Sequence, residues 1–145
     1  MPKSTLTVLW VEDNIGDILL INEAFEQAGL THHLSVVNDG VQATDYLFRR
    51  YKFSRVSRPD LIILDLNLPR KSGREVIDEI KTDPDLVKIP LVVLTTSHSE
   101  HDVLDGLDPK RCLYLVKPVT FQALIDLAKQ IQDFLASIPV SDKKD

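Results

Sequence analysis

The stretch Arg58–Gly73, RPDLIILDLNLPRKSG, decides the architecture. Leu61, Ile62, Ile63 and Leu64 are apolar without alternation, and the run closes on a carboxylate, Asp65. A strand with one face in water alternates polar and apolar side chains. An unbroken apolar run bounded by turn formers reads instead as a strand covered on both faces, as in a parallel sheet sandwiched by helices.

Working outward, Asp60–Asp65 is the third of five such runs, the others being Thr5–Val11, His33–Val37, Pro90–Thr96 and Cys112–Val116. Helical periodicity fills the gaps. From about Ile15 to Ala28, Ile18, Ile21, Phe25 and Ala28 share one stripe, and Gly29 suits the position just past a helix end. Further helices are predicted from about Gly40 to Tyr51, around Val76, Ile77 and Ile80 before Asp83-Pro84, near Glu100–Leu107, and over Thr120–Ile138 with Thr120 as cap. Strict alternation of strand and helix implies a doubly wound α/β sheet with right-handed crossovers. A single domain is expected over 1–145, with a core of about 5–138, a basic, serine-containing connection at Lys52–Arg58 and a charged tail at 139–145.

In such a sheet ligands bind beyond the carboxyl ends of the strands. The first run ends in Glu12-Asp13, the third in Asp65, the fourth in Thr95-Thr96-Ser97 and the fifth in Lys117. If the first and third strands are neighbours, three carboxylates converge. Two unit charges ~4 Å apart repel by about 4 kcal/mol at an effective dielectric near 20, so the trio needs protons or a cation. Carboxylate oxygens with water are the ligands that Mg²⁺ prefers. Lys117 adds a point charge for a phosphate oxygen, and the hydroxyls of the fourth strand end add donors. Each residue alone reads as a solvated strand end; the ordered set points to a metal-assisted phosphoryl site.

These residues carry a family likeness. Through VLWVEDN, RPDLIILDLNLPRKSG, IPLVVLTTS and YLVKP, the chain resembles the CheY-like receiver domain of two-component response regulators over roughly residues 5 to 136. The resemblance implies a five-stranded parallel sheet of order 2-1-3-4-5, the doubly wound class typified by flavodoxin and CheY. It implies Asp65 as phosphoacceptor, Asp13 as a direct Mg²⁺ ligand with Glu12 acting beside it through water, and the backbone carbonyl of Asn67 as a further ligand. Thr95 would donate to the phosphoryl group, Lys117 would pair with it across a cis Lys117-Pro118 bond, and Tyr114 would be the switch aromatic. Asn67 and Ser97 occupy the positions that tune hydrolysis in the family. The implied function is that of a phosphorelay protein taking its phosphoryl group from a sensor histidine kinase. It would catalyse its own phosphotransfer and autodephosphorylation without being a conventional enzyme, and no organic cofactor is expected.

Finer likenesses follow. The long Arg49–Arg58 connection and GREVIDEIKTDPDLVKIP are similar to single-domain regulators partnered with bacterial phytochromes, cyanobacterial ones included. LDPKRC departs from the Gly-Ala turn common before the fifth strand, which bears on the partner surface. An unphosphorylated pseudo-receiver, acting as an interaction module, is the alternative reading. A haloacid-dehalogenase-type phosphatase would need a second acid where Asn67 stands. A nucleotide or flavin carrier would need a phosphate loop where EDNIGD places acids.

Composition bounds the rest. Over 145 residues, 43% hydrophobic and 27% charged, a net charge of −5 argues against a nucleic-acid surface. The lone Cys112 excludes a disulfide framework and reads as a small hydrophobe in a reducing compartment. With no signal-peptide core at the N-terminus and no apolar run of membrane-spanning length, a soluble, cytoplasmic protein is expected. His32-His33 and the His98/His101 pair lack the acid or cysteine that would complete a zinc site.

The last helix carries more apolar residues than one core stripe needs. Phe121, Leu124, Ala128, Ile131 and Leu135 form one stripe, and Ala123, Leu127, Phe134 and Ile138 a second beside it. Either a neighbouring helix and the tail cover the second stripe, or it forms a homodimer interface through Leu127, Phe134 and Ile138.

Overall fold

The computed structural model describes residues 5–13, 18–30, 32–95 and 101–138. Its strands are β1 (Leu6–Val11), β2 (His32–Val37), β3 (Leu61–Asp65), β4 (Leu91–Thr95) and β5 (Cys112–Val116), and its helices are α1 (Ile18–Gln27), α2 (Gly40–Leu47), α3 (Gly73–Ile80) and α4 (Phe121–Ser137). The strands form one sheet of order β2-β1-β3-β4-β5, parallel throughout. The architecture is the doubly wound one expected.

The unbroken apolar runs are the interior strands. Every residue of β3 and β4 is buried, whereas edge strands β2 and β5 are largely half-buried, which is why His32, His33 and Ser35 are tolerated in β2. The period of two sorts side chains to opposite faces. Leu9, Val11, Ile62, Leu64 and Val93 join the core under α2 and α3. Val8, Trp10, Leu61, Ile63, Val92 and Leu94 join the core under α1 and α4. Carried to Asp65 at the end of β3 and to Glu12 and Lys117 just beyond β1 and β5, this alternation puts all three on the α1/α4 side.

Local chemistry sets the helix boundaries. Asp39 caps α2 by accepting from the Gln42 N–H, Ser72 and Glu75 form a reciprocal capping box on α3, and Thr120 accepts from the Ala123 N–H as predicted. Gly29, at φ 82°, takes the left-handed position after α1. The second helix stops at Leu47 rather than Tyr51, because the chain turns through positive φ at Arg49 (57°) and Tyr51 (53°). Where periodicity predicts a fourth helix, residues 96–100 lie outside the described range and His101–Leu104 forms a single 3₁₀ turn. LDPKRC folds as a 3₁₀ turn at Pro109–Arg111, capped by Asp108. No helix among the described residues is long and apolar enough to cross a membrane.

The second stripe of the last helix is not a free surface. Leu127 and Phe134 are 3% and 9% exposed within the core that α4 shares with α1 and the sheet, and Ile138 is half-buried against it. The availability of Leu127 and Phe134 for a homodimer interface is therefore corrected: the apolar arc they belong to is used inside one chain, because α4 shares one core with α1 and the sheet. Phe134→Asp should accordingly act as a core lesion. The loss of ring burial and the unpaired buried charge are expected to cost about 4 kcal/mol or more. Chemical denaturation reads this directly. A variant as stable as wild type but altered in oligomeric state would restore the interface reading.

Candidate functional site

The site lies at the carboxyl edge of β1, β3 and β5. Glu12 follows β1 and is held by its N–H bond to the Val37 carbonyl at 3.0 Å. Asp65 ends β3, the next residue's N–H bonding the Leu94 carbonyl at 3.1 Å, and Lys117 follows β5 with its N–H on the Thr95 carbonyl at 2.9 Å. Ordinary ladder continuation thus fixes the backbone of all three.

The Lys117 ammonium donates to Asp65 Oδ2 at 2.7 Å and to Glu12 Oε2 at 3.1 Å. Glu12 and Asp65 are only 4% and 1% exposed, so neither acid is a merely solvated loop residue. Carboxylate oxygens of Glu12, Asp13 and Asp65 lie within 4.8 Å of one another, with Asp13 exposed at the rim. The remaining Asp65 oxygen, Oδ1, accepts from the Asn67 N–H at 2.9 Å, so both oxygens of the acid are oriented. Desolvation would lower the Lys117 pKa, but hydrogen bonds and charge from Asp65 and Glu12 outweigh it and hold the ammonium above its ordinary range. One cation thus stands among three carboxylates, leaving excess negative charge. Three hard oxygen donors this close, one of them open to water, fit a hydrated divalent ion such as Mg²⁺.

Thr95 ends β4, buried, in the strand beside Asp65. By alternation it belongs to the α2/α3 side, as does Tyr114, which is half-buried against that core and lines a depression with Leu104, Leu107 and Cys112. Ser97 lies outside the described residues. The cis Lys117-Pro118 bond is corrected: no cis peptide occurs among the described residues. The trans form is the intrinsically favoured one by ~0.5–1 kcal/mol, and in it the Lys117 ammonium already reaches both acids.

Pairwise contacts between distant segments are invisible to strand-end reasoning. The loop from Leu66 to Ser72, which carries Asn67, is seated on α2. Lys71 donates to Thr44 Oγ1 at 3.2 Å and pairs with Glu79, while Arg70 pairs with Asp39 at 3.4 Å. Gly40 is required beneath it, since a Cβ there would fall 1.9 Å from the Lys71 carbonyl oxygen. At Gly73 a Cβ would fall 2.6 Å from the Asp65 carbonyl oxygen. Only spaced Gly residues hint at this closeness.

The minor candidates have structural roles. His32 makes contacts of 2.9 Å to the Leu30 carbonyl through Nδ1 and 2.7 Å to Asn22 Oδ1 through Nε2. His98 lies outside the described residues. Burial, reinforced by Asp108, pushes the Cys112 thiol up to about 11, so it is protonated and inert at neutral pH. Trp10 is buried against Phe25 and lines a cavity of about 120 Å³ with Glu12 and Lys117, which makes it a built-in optical reporter.

Comparison with known proteins gives a consistent result. The response regulator receiver domain family matches residues 8–129. Response regulator Rcp1 of Synechocystis sp. is 41% identical over 127 residues, covering 88% of this chain and 86% of that one. The crystal structure of the phosphorylated cyanobacterial phytochrome response regulator RcpA superposes with a TM-score of 0.77 at 41% identity, covering 93% and 96% of the two chains. The Mn²⁺-bound form of Rcp1 superposes with a TM-score of 0.73 at 40% identity, covering 90% and 94%.

Proposed function

The chain belongs to the response regulator receiver domain family, and from that premise we propose that it accepts a phosphoryl group on Asp65 from a sensor histidine kinase. The observation that carries this reading is the buried Asp65 carboxylate, bridged by Lys117 to Glu12 and standing beside Asp13. An Asp65 oxygen attacks phosphorus, the bond from phosphorus to the donor's imidazole nitrogen breaks, and the imidazole leaves with its electron pair. Lys117 pairs with the charge on the transferred oxygens, and the Thr95 hydroxyl donates to them. Glu12, Asp13, Asp65 and the Asn67 carbonyl would hold Mg²⁺, Glu12 through water, and the ion would supply positive charge to offset the negative charge of acceptor and phosphoryl group. The balance between the Thr95 and Tyr114 positions in the two states would then alter the partner surface, which is how a phosphoryl group becomes a signal.

The kinase is proposed to be of phytochrome type, because the two cyanobacterial proteins above share about two-fifths of their residues with this chain and RcpA is a phytochrome response regulator. A cytoplasmic location is proposed with that partner, since a lone free cysteine fits a reducing compartment. A homodimer, if formed, would use faces other than the buried Leu127 and Phe134.

Trp10 fluorescence tests the core of this reading. Mg²⁺ should change the emission saturably at millimolar concentration, and beryllofluoride, a phosphoryl mimic, should change it again only with Mg²⁺ present. No response to Mg²⁺, in fluorescence or calorimetry, would remove the metal-assisted phosphoacceptor.

A further inference from the structure

The ten residues from Arg49 to Arg58 hold five cations and no acid, so the remainder of the chain carries −10 against −5 for the whole. Their structure is specific. Arg58 is the internal anchor, with Nε on the Leu47 carbonyl at 3.2 Å and the guanidinium 3.9 and 3.8 Å from Asp83 and Asp85. Phe53 packs on Tyr46 with ring centroids 5.2 Å apart, pinning the turn to the core. Backbone bonds Arg50 to Asp45 (2.8 Å), Phe53 to Arg50 (2.9 Å) and Ser54 to Tyr51 (3.1 Å) close it. Arg49, Arg50, Lys52 and Arg55 all remain exposed, and among the described residues none of them makes an ion pair.

Two details separate this turn from an ordinary solvated charge run. Arg49 and Tyr51 both adopt left-handed backbone at φ 57° and 53°, a conformation unfavourable for such side chains and retained where surrounding structure imposes it. Tyr51 stands 80% exposed at the tip between the cations. Arg50 lies over the Phe48 ring at 4.9 Å and Lys52 over Phe53 at 5.2 Å, so two of the charges are held in place. Arginine and an exposed tyrosine are residue types that dominate binding energy at protein interfaces, and here Arg50 beside Tyr51 is held in place.

We propose that this turn is a docking site for a short acidic segment of a partner protein. Arginine forks match carboxylates bidentately. The flanks decide against broader polyanions: Asp45, Asp83 and Asp85 border the turn, so a flat bilayer or a duplex would press its phosphates against acids as well. A narrow peptide need span only the four exposed cations. The turn precedes the amino end of β3, and the length of that strand, about 15 Å, separates it from Asp65 at the other end. Docking here leaves the phosphoacceptor edge open, so a partner is held whether or not that edge is modified.

The test uses the full chain and a fluorescein-labelled decapeptide of alternating Glu and Asp, read by anisotropy. Binding should weaken about tenfold between low salt and 0.2 M salt, as expected for exposed charges. Arg49→Glu with Arg50→Glu and Arg55→Glu should weaken it by at least about tenfold with an unchanged circular dichroism spectrum, and Asp65→Asn should leave it within about twofold. Tyr51→Gly keeps the charges and relieves the backbone, so a loss of about threefold or more there assigns a part to the ring. The proposal is overturned by absence of binding at low salt, by a charge-reversed variant that binds as wild type does, or by tighter association with anionic vesicles or duplex DNA than with the peptide.

Discussion

Asp65→Asn is expected to reduce phosphoryl incorporation at least ~1000-fold, because an amide oxygen carries no charge and cannot form an acyl phosphate at this position. Incubation with a small acyl phosphate donor and Mg²⁺, followed by intact-protein mass spectrometry, measures it. Asp13 could substitute in principle, and the geometry argues against it. Asp13 is exposed at the rim, while Asp65 has one oxygen on Lys117 at 2.7 Å and the other on the Asn67 N–H at 2.9 Å. The proposed acceptor is the carboxylate with both oxygens held in place. The fold should survive: Asn is isosteric, and Lys117 keeps Glu12 at 3.1 Å. The variant should also lose most of its Trp10 response to beryllofluoride. Equal incorporation in both proteins would move the acceptor elsewhere and end the proposal as written.

The choice of Asp65 is legible in the amino-acid sequence itself. Central strands buried on both faces need unbroken apolar side chains, so β3 and β4 declare themselves, and a polar residue ending such a run stands at the sheet edge. Glu12, Asp65, Thr95 and Lys117 stand out in that way, and the Lys117 ammonium proves to bridge the two acids. Less is visible where an outcome depends on which neighbour covers a surface. Periodicity shows that Leu127 and Phe134 are apolar, not that α1 is there to cover them. It shows a helical pattern through Tyr51, not that Arg50 bonds back to Asp45 and turns the chain. The seating of Lys71 on Gly40 joins residues far apart in sequence, and only the glycine's lack of a side chain marks it. Strand-end chemistry is local and readable, whereas coverage is a property of the assembled fold.

Lys117→Met is expected to separate the two tasks proposed for one ammonium. Methionine keeps much of the stem's packing and removes the charge, leaving buried Glu12 and Asp65 facing each other and Asp13. Removing one partner of a buried ionic cluster costs about 3–5 kcal/mol; because the lysine side chain is 29% exposed and water reaches it, about 2–3 kcal/mol is expected here. Measured by urea denaturation without divalent cation, that loss should shrink as Mg²⁺ is added, since three acids without the ammonium bind the ion more tightly and so gain more stability from it by mass action. The pH dependence has a definite sign. Lys117 has a folded pKa raised above its ordinary value, so its contribution is complete below the ordinary lysine range and is lost as pH rises through the folded value. Wild type and variant should therefore differ most at neutral pH and converge in strong alkali. Phosphoryl uptake should fall ~100-fold or more even at saturating Mg²⁺, because the cation replaces the ammonium's charge among the acids but not its contact with the transferred oxygens. If Mg²⁺ restored uptake as fully as stability, Lys117 would be a structural counterion alone, and its pairing with the phosphoryl group would be wrong.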